Sequence, residues 1–374
     1  MGLSDLFKKK NNDPIGDDSI LSQLDELKSA GEYEKIIQKT EEVPADNRSN
    51  ELWFRRIEAL IKVSRFNDAK KEISLLSKRC SKPEEDARLY YSLGCFFDNT
   101  DSELKAAECF LRAQEFYPEF EGIQDAIEDS IKRAGQKLSD AKSTFEKLFA
   151  DISDAIKNSE DKKKIDENDA FSYISMIQAS FLSSMLNMQI PLGELFFKCN
   201  DADKPKMKSF LKEKYGIVDL GSLQQWFGGN QISPELDIII SAVEKNANIT
   251  MDNASAAEKM HIKASTMVIK EFKDLIPKSG LIAWDYCTIL ALTRMAFSCD
   301  LLSNMEYLQT CIFFTDACKG RYSSWEEFSR AVVIGGFYNT MCLDTQYDIK
   351  AATLFGNVAA SHCKNNYPKV TWIG

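Results

Sequence analysis

The sequence predicts an all-α protein, with helical hairpin repeats followed by a compact helical C-terminal domain. Three observations predict it. Only 9 prolines and 17 glycines occur in 374 residues, too few for a loop-rich, all-β chain. The apolar stripes along most of the chain run at helical spacing. From Ile20 to about Pro118 the pattern itself recurs, with a period near 33 to 37 residues. A chain of 374 residues points to two domains, and a hydrophobic content of 44% can fill both cores.

Residues 1–16 read as a tail. Leu3, Leu6 and Phe7 would share one helix face beside Lys8, Lys9 and Lys10. Two readings fit: a membrane-surface contact through residues 3–10, or a flexible end. One short turn buries little apolar area, which favours the second. Leu6 breaks the myristoylation pattern, and no secretory h-region precedes it.

Residues 17–157 carry the repeats. The clearest has Tyr90, Leu93-Gly94, Phe97, Ala106, Phe110, Ala113 and Pro118. These spacings resemble the tetratricopeptide pattern. A second repeat has Trp53, Leu60, Ala69, Ile73 and Leu76, and a degenerate first has Leu24, Leu27, Gly31, Tyr33 and Ile36. In such stacks a small residue lets paired helices approach, and large residues bury between neighbours. The resemblance implies a concave groove for a partner protein or peptide, with Trp53, Arg56, Tyr90 and Tyr91 as candidate contacts. Phe120 to Lys157 continues as helix, read as a capping helix pair or a bridge.

Residues 158–169 form a charged run, read as a solvated linker, and 170–374 form the second domain. An apolar helix is predicted over Ala170 to Met188. Lys204, Lys208 and Lys212 then line one helix face; a solvated face fits the acidic chain better than an anion site. Ser233-Pro234-Glu235 reads as a helix start with an N-cap serine. A long helix is predicted from Asn253 to Leu275 and a last one from Asp348 to Lys364.

The densest apolar run is Gly280 to Thr340. Ser279 is the candidate N-cap of a helix reaching Cys299 that is apolar all round, the signature of a buried helix. Asp285 and Arg294 lie inside it, nine residues apart. At about 100° per residue they point to opposite faces and need separate partners. Ser303-Asn304-Met305-Glu306 is a capping box, Gly320 a candidate stop, and Ser323 and Ser324 start a third helix near Trp325. Gly335-Gly336 falls inside it, which calls for close approach of another helix or a ligand.

Trp284-Asp285, Arg294, Cys299-Asp300-Leu301-Leu302-Ser303, Ser324-Trp325-Glu326-Glu327-Phe328 and Gly335 together resemble the bacterial domain of unknown function 1266 family. Tyr215-Gly216-Ile217 and Pro368-Lys369-Val370-Thr371-Trp372 are similar to its edges, so the resemblance covers about residues 170–374. Gly228-Gly229-Asn230 stands where that family often has a Gly-His pair. The resemblance implies a helical fold and brings no settled activity.

Chemistry is sparsely signalled. There is no P-loop, Gly-x-Ser-x-Gly or His-Glu-x-x-His. His261 and His362 have no metal-ligand spacing, so neither metal nor cofactor is expected. A net charge of −10 argues against nucleic-acid binding. Ten scattered cysteines without Cys-x-x-Cys read as reduced thiols of a cytoplasmic protein. Two functions remain. The first is an interaction protein that binds a partner through its repeats. The second is an enzyme of unknown class, with Asp285, Arg294, Glu326 and Glu327 as the candidate catalytic cluster and Trp284, Trp325 and Gly335 as pocket candidates. For that cluster a structural reading, as capping acids and core, carries more weight. Partner identity and oligomeric state are left open.

Overall fold

The structure is a computed structural model of the chain, and it describes residues 17–159, 174, 177–178, 196–247, 249, 251, 253–343, 347–369 and 372. The described residues are helical, with no strand among them. They divide into two compact units: the described residues within 1–136, 250–264 and 345–348, and those within 137–249, 265–344 and 349–374.

The first unit opens with six helices: α1 (Asp17–Ser29), α2 (Tyr33–Glu41), α3 (Asn50–Lys62), α4 (Phe66–Leu76), α5 (Pro83–Asp98) and α6 (Glu103–Phe116). Two of the starts have a plain local cause. Ser49 caps α3 by accepting the Leu52 amide at 3.3 Å. Pro83 opens α5 with Glu84, Glu85 and Asp86 in its first turn, favourable against the helix dipole. Successive helices pack on one another, and α3 also packs against α5. The turns between α1 and α2, α3 and α4, and α5 and α6 each hold one left-handed residue: Gly31 (φ 72°), Ser64 (φ 61°) and Asp101 (φ 63°). The core joins Leu24, Ile36, Leu52, Trp53, Ile57 and Leu60 to Ala69, Ile73 and Leu76. A second cluster joins Ala87, Ala106, Phe110, Ala113 and Phe120. Gly94 faces the Phe110 ring so closely that a Cβ there would collide with it, which is how α5 and α6 approach.

Helix α7 (Ile123–Lys157) is one continuous helix of 35 residues, where a helix pair was one expectation. Nothing at its centre stops it: the apolar stripe passes through Ile131, Leu138 and Phe145 without proline.

The second unit contains α8 (Lys204–Tyr215), α9 (Leu220–Asn230), α10 (Ser233–Glu244), the latter part of α11 (Ala256–Phe272), α12 (Ala283–Ser298), α13 (Asn304–Arg321), α14 (Trp325–Tyr338), a π-turn (Asn339–Leu343) and α15 (Ile349–Asn366). Helix α12 is its axis, and all but one of its residues are buried. Its start differs from expectation. Gly280 is left-handed (φ 78°), so the chain turns there and the helix begins at Ala283, with Ile282 at the cap position. The Ser279 hydroxyl bonds Glu327 instead. Ser303 and Glu306 form the capping box read in the sequence, and Ser324 caps α14 by accepting the Glu327 amide at 3.2 Å. Gly320 lies within α13, which runs one residue further. Ser233 is the first helical residue of α10, not its cap.

Aromatic packing holds this unit together. Phe145, Phe272 and Phe337 meet with centroids 5.2–5.7 Å apart, and Phe145 lies over Gly356. Trp284 packs across Gly335 and Gly336, and a Cβ at Gly335 would stand 2.7 Å from Trp284 Cβ. The mid-helix glycines thus serve helix approach. The helix expected over 170–188, most of the 158–169 run and the N-terminal residues 3–10 lie outside the described residues.

Candidate functional site

The structure gives the four charges of the candidate cluster separate settings. Asp285 is 4% exposed. Its Oδ1 accepts the Ile232 amide and its Oδ2 the Ser233 amide, both at 3.0 Å. It therefore caps α10 from another helix, the role that no local residue fills. Burial raises its pKa, against the pull of those hydrogen bonds. Arg294, on the opposite face of α12, donates to Gln178 Oε1 at 2.9 Å. Gln178 in turn donates to Tyr307 Oη at 3.2 Å. Glu327 accepts from the Ser323 amide at 2.7 Å and from the Ser279 hydroxyl. Burial pushes its carboxyl up, yet the Ser279 and Ser323 bonds outweigh it and leave it low. Glu326 is half-buried in the first turn of α14.

These partners answer the acid/base reading. Asp285 and Arg294 do not pair, and Asp285 is sealed by backbone amides. Trp284, Trp325 and Gly335 are core: Trp284 meets Phe355 edge-on at 5.3 Å, and Trp325 stacks on Tyr367 at 4.2 Å. Asp285 is buried with an amide on each oxygen, so a substrate has no access to it, and the cluster has the geometry of caps and core.

One polar chain went unread in the sequence. The Tyr338 hydroxyl donates to Glu235 Oε1 at 2.9 Å and lies 2.8 Å from Ser265 Oγ. It ties α14 to α10 and α11. Its residues are far apart in the chain and form no spacing motif. Among the described residues no group of three His, Cys, Asp or Glu could hold a metal ion, and no helix is long and apolar enough to cross a membrane.

The first unit holds a groove between α3 and α5. Its cavity is about 240 Å³. Phe54, Ile61, Tyr91 and Cys95 give it apolar walls; Arg55, Glu58, Lys62, Arg88 and Asp98 add charge. Helical spacing explains the set, since Phe54, Glu58, Ile61 and Lys62 share one side of α3. Of the four expected contacts, only Tyr91 lines it. Its ring stacks on Phe120 at 4.9 Å. Tyr90 turns toward α6 and stacks on Phe116 at 5.6 Å. Trp53 and Arg56 are corrected outright: they are 3% and 6% exposed, on the buried side of α3. Arg56 bonds Glu72 and Glu41 at 3.0 Å and the Ile37 carbonyl at 2.9 Å, so it joins α2, α3 and α4 and has no free edge for a partner.

Cys95 gives the groove no nucleophile. Burial, with Glu58 and Asp98 nearby, pushes its thiol up to about 12.

Comparison with known proteins places one part of the chain. Residues 210–372 match the model of the family described as Protein of unknown function (DUF1266). No curated protein and no solved structure matches the chain. The matched stretch contains α12, α13 and α14 entire. The groove lies outside it.

Proposed function

We propose that the protein is an interaction protein whose groove between α3 and α5 holds a peptide or a segment of a partner protein. The carrying observation is the cavity itself: an open space of about 240 Å³ with mixed aromatic and charged walls. The left-handed turns at Gly31, Ser64 and Asp101 recur at the expected period and support a tetratricopeptide-like stack. In such a stack α1, α3 and α5 form the inner layer, where a partner would lie. All ten cysteines are free, which supports a reducing, cytoplasmic setting.

The test compares the intact protein with Ser92→Arg, which puts a long side chain into the groove wall. A protein retained from source-cell lysate by the first and lost from the second, with melting unchanged, supports the reading. Equal retention by both sinks it.

A further inference from the structure

Helix α13 carries large apolar residues on two sides. Tyr307, Cys311, Thr315 and Cys318 form its buried side. Met305, Ile312 and Phe313 lie on the other, and they are 64%, 51% and 68% exposed. With Gln309, Asp316 and Gly320, also exposed, they fall within one stripe about 100° wide. Phe313 meets Phe314 edge-on at 5.1 Å, and Phe314 packs in turn on Phe227 and Tyr286. A ring held in this way has little freedom left to lose on binding, which suits an anchor residue. Single exposed apolar side chains are ordinary, whereas three on one helix stripe mark a contact surface.

The stripe is its own complement. Two such helices can pack antiparallel about a two-fold axis level with the link between Ile312 and Phe313. Every member of the stripe then comes level with another member on the second copy. Ile312 meets Phe313, which closes an apolar centre. Gln309 meets Asp316, so a side-chain amide can donate to a carboxylate. Met305 meets Gly320, a long side chain against none, and a Cβ built on Gly320 has nothing within 4 Å in the single chain. The Glu306 end of one helix comes beside the Lys319 and Arg321 end of the other, and the two helix dipoles oppose. A parallel pairing would set Asp316 against Asp316, with basic end beside basic end.

We infer that the outer stripe of α13 is a homodimer interface, in which a second copy of the chain packs its own α13 antiparallel across Phe313. A foreign partner would impose no relation between the two ends of the stripe. A second copy does, because an interface about a two-fold axis must match itself. Met305 with Gly320 and Gln309 with Asp316 meet that condition. One helix from each copy gives an interface below about 1,200 Å² in total, so the dimer is reversible, with dissociation in the micromolar range.

The experiment is sedimentation equilibrium of the intact protein from about 1 to about 300 μM, which brackets that range. The average mass is expected to climb from one chain toward two. Phe313→Asp should hold it at one chain throughout. Gly320→Leu favours the helix and has room in the single chain, yet it should weaken the dimer on the order of tenfold by meeting Met305 of the second copy. Met305→Ala in the same chain as Gly320→Leu should recover most of that loss. Thermal melts at the lowest concentration show that each variant folds. A mass of one chain at every concentration overturns the inference, whatever else the stripe then binds. A dimer that survives Phe313→Asp places the interface elsewhere and overturns it too. So does a dimer that Gly320→Leu leaves intact, or one weakened by Gly320→Leu that Met305→Ala fails to rescue, since the antiparallel register would then be wrong.

Discussion

Asp285 and Ser233 lie 52 residues apart, and the carboxylate of the first closes the helix that the second begins, taking its amide at 3.0 Å. The cap is buried and comes from another helix, so its loss should be felt beyond one turn. Asp285→Ala leaves two buried amides without acceptors and should cost about 2–4 kcal/mol. Urea unfolding of the two proteins measures it.

The same carboxyl gives a pH signature. Its folded pKa is raised, by burial first. Between the ordinary aspartate value and the folded one, the folded chain holds more protons than the unfolded chain. Stability therefore falls as pH climbs through that window. Asp285→Asn removes the titration. The stability of the native protein minus that of Asp285→Asn should shrink as pH rises from about 4. A gap that widens would mean that the amide hydrogen bonds outweigh burial.

Arg56 and its acids should behave unequally. Arg56→Met leaves Glu72, whose side chain is 14% exposed, without its partner, and should cost about 3–5 kcal/mol. Glu41 is 52% exposed, so Glu41→Gln should cost under about 1 kcal/mol. Denaturant midpoints decide it, and similar losses for both would contradict a buried network centred on Arg56.

The glycine pair of α14 should reject alanine. In an open helix each change would gain about 1 kcal/mol. A Cβ at Gly335 would stand 2.7 Å from Trp284 Cβ and 3.2 Å from the Leu281 carbonyl, atoms that cannot rotate away. Gly335→Ala should cost about 1–3 kcal/mol, and Gly336→Ala a similar amount, since its Cβ would meet both the Phe355 ring and, at 2.9 Å, the buried Trp284 ring. Thermal melts measure both.

Cys95 should be slow to react. With its thiol near 12, alkylation of Cys95 at neutral pH should lag far behind that of a small free thiol and quicken as pH rises. Peptide mapping after brief iodoacetamide treatment reads it.

Local chemistry was the legible part. Ser303 with Glu306, Ser324 with Glu327, and the placement of Pro234 follow from neighbours within four residues, and helix starts are written in such short windows. Asp285 and Arg294 could be read as opposite-facing charges in a buried helix, but not as partners of Ile232, Ser233 and Gln178, because nothing in a helical period names a residue on another helix. Trp53 and Arg56 illustrate the limit most directly. Aromatic and arginine side chains suit both an interface and a core, and only the direction of α3 in the fold decides between them. Gly280 shows the smaller failure: a serine before an apolar run reads as a cap, while one left-handed glycine delays the helix to Ala283.

Phe145 has a consequence for how this protein can be divided. Its ring fills the space over Gly356 and meets Phe272 and Phe337, yet it stands well upstream of residue 210, where the family match begins. The stretch that matches the family and the compact unit that contains it therefore have different edges. A fragment cut at 210 would carry an unfilled socket lined by phenylalanine, prone to self-association, and a fragment that keeps α7 would not.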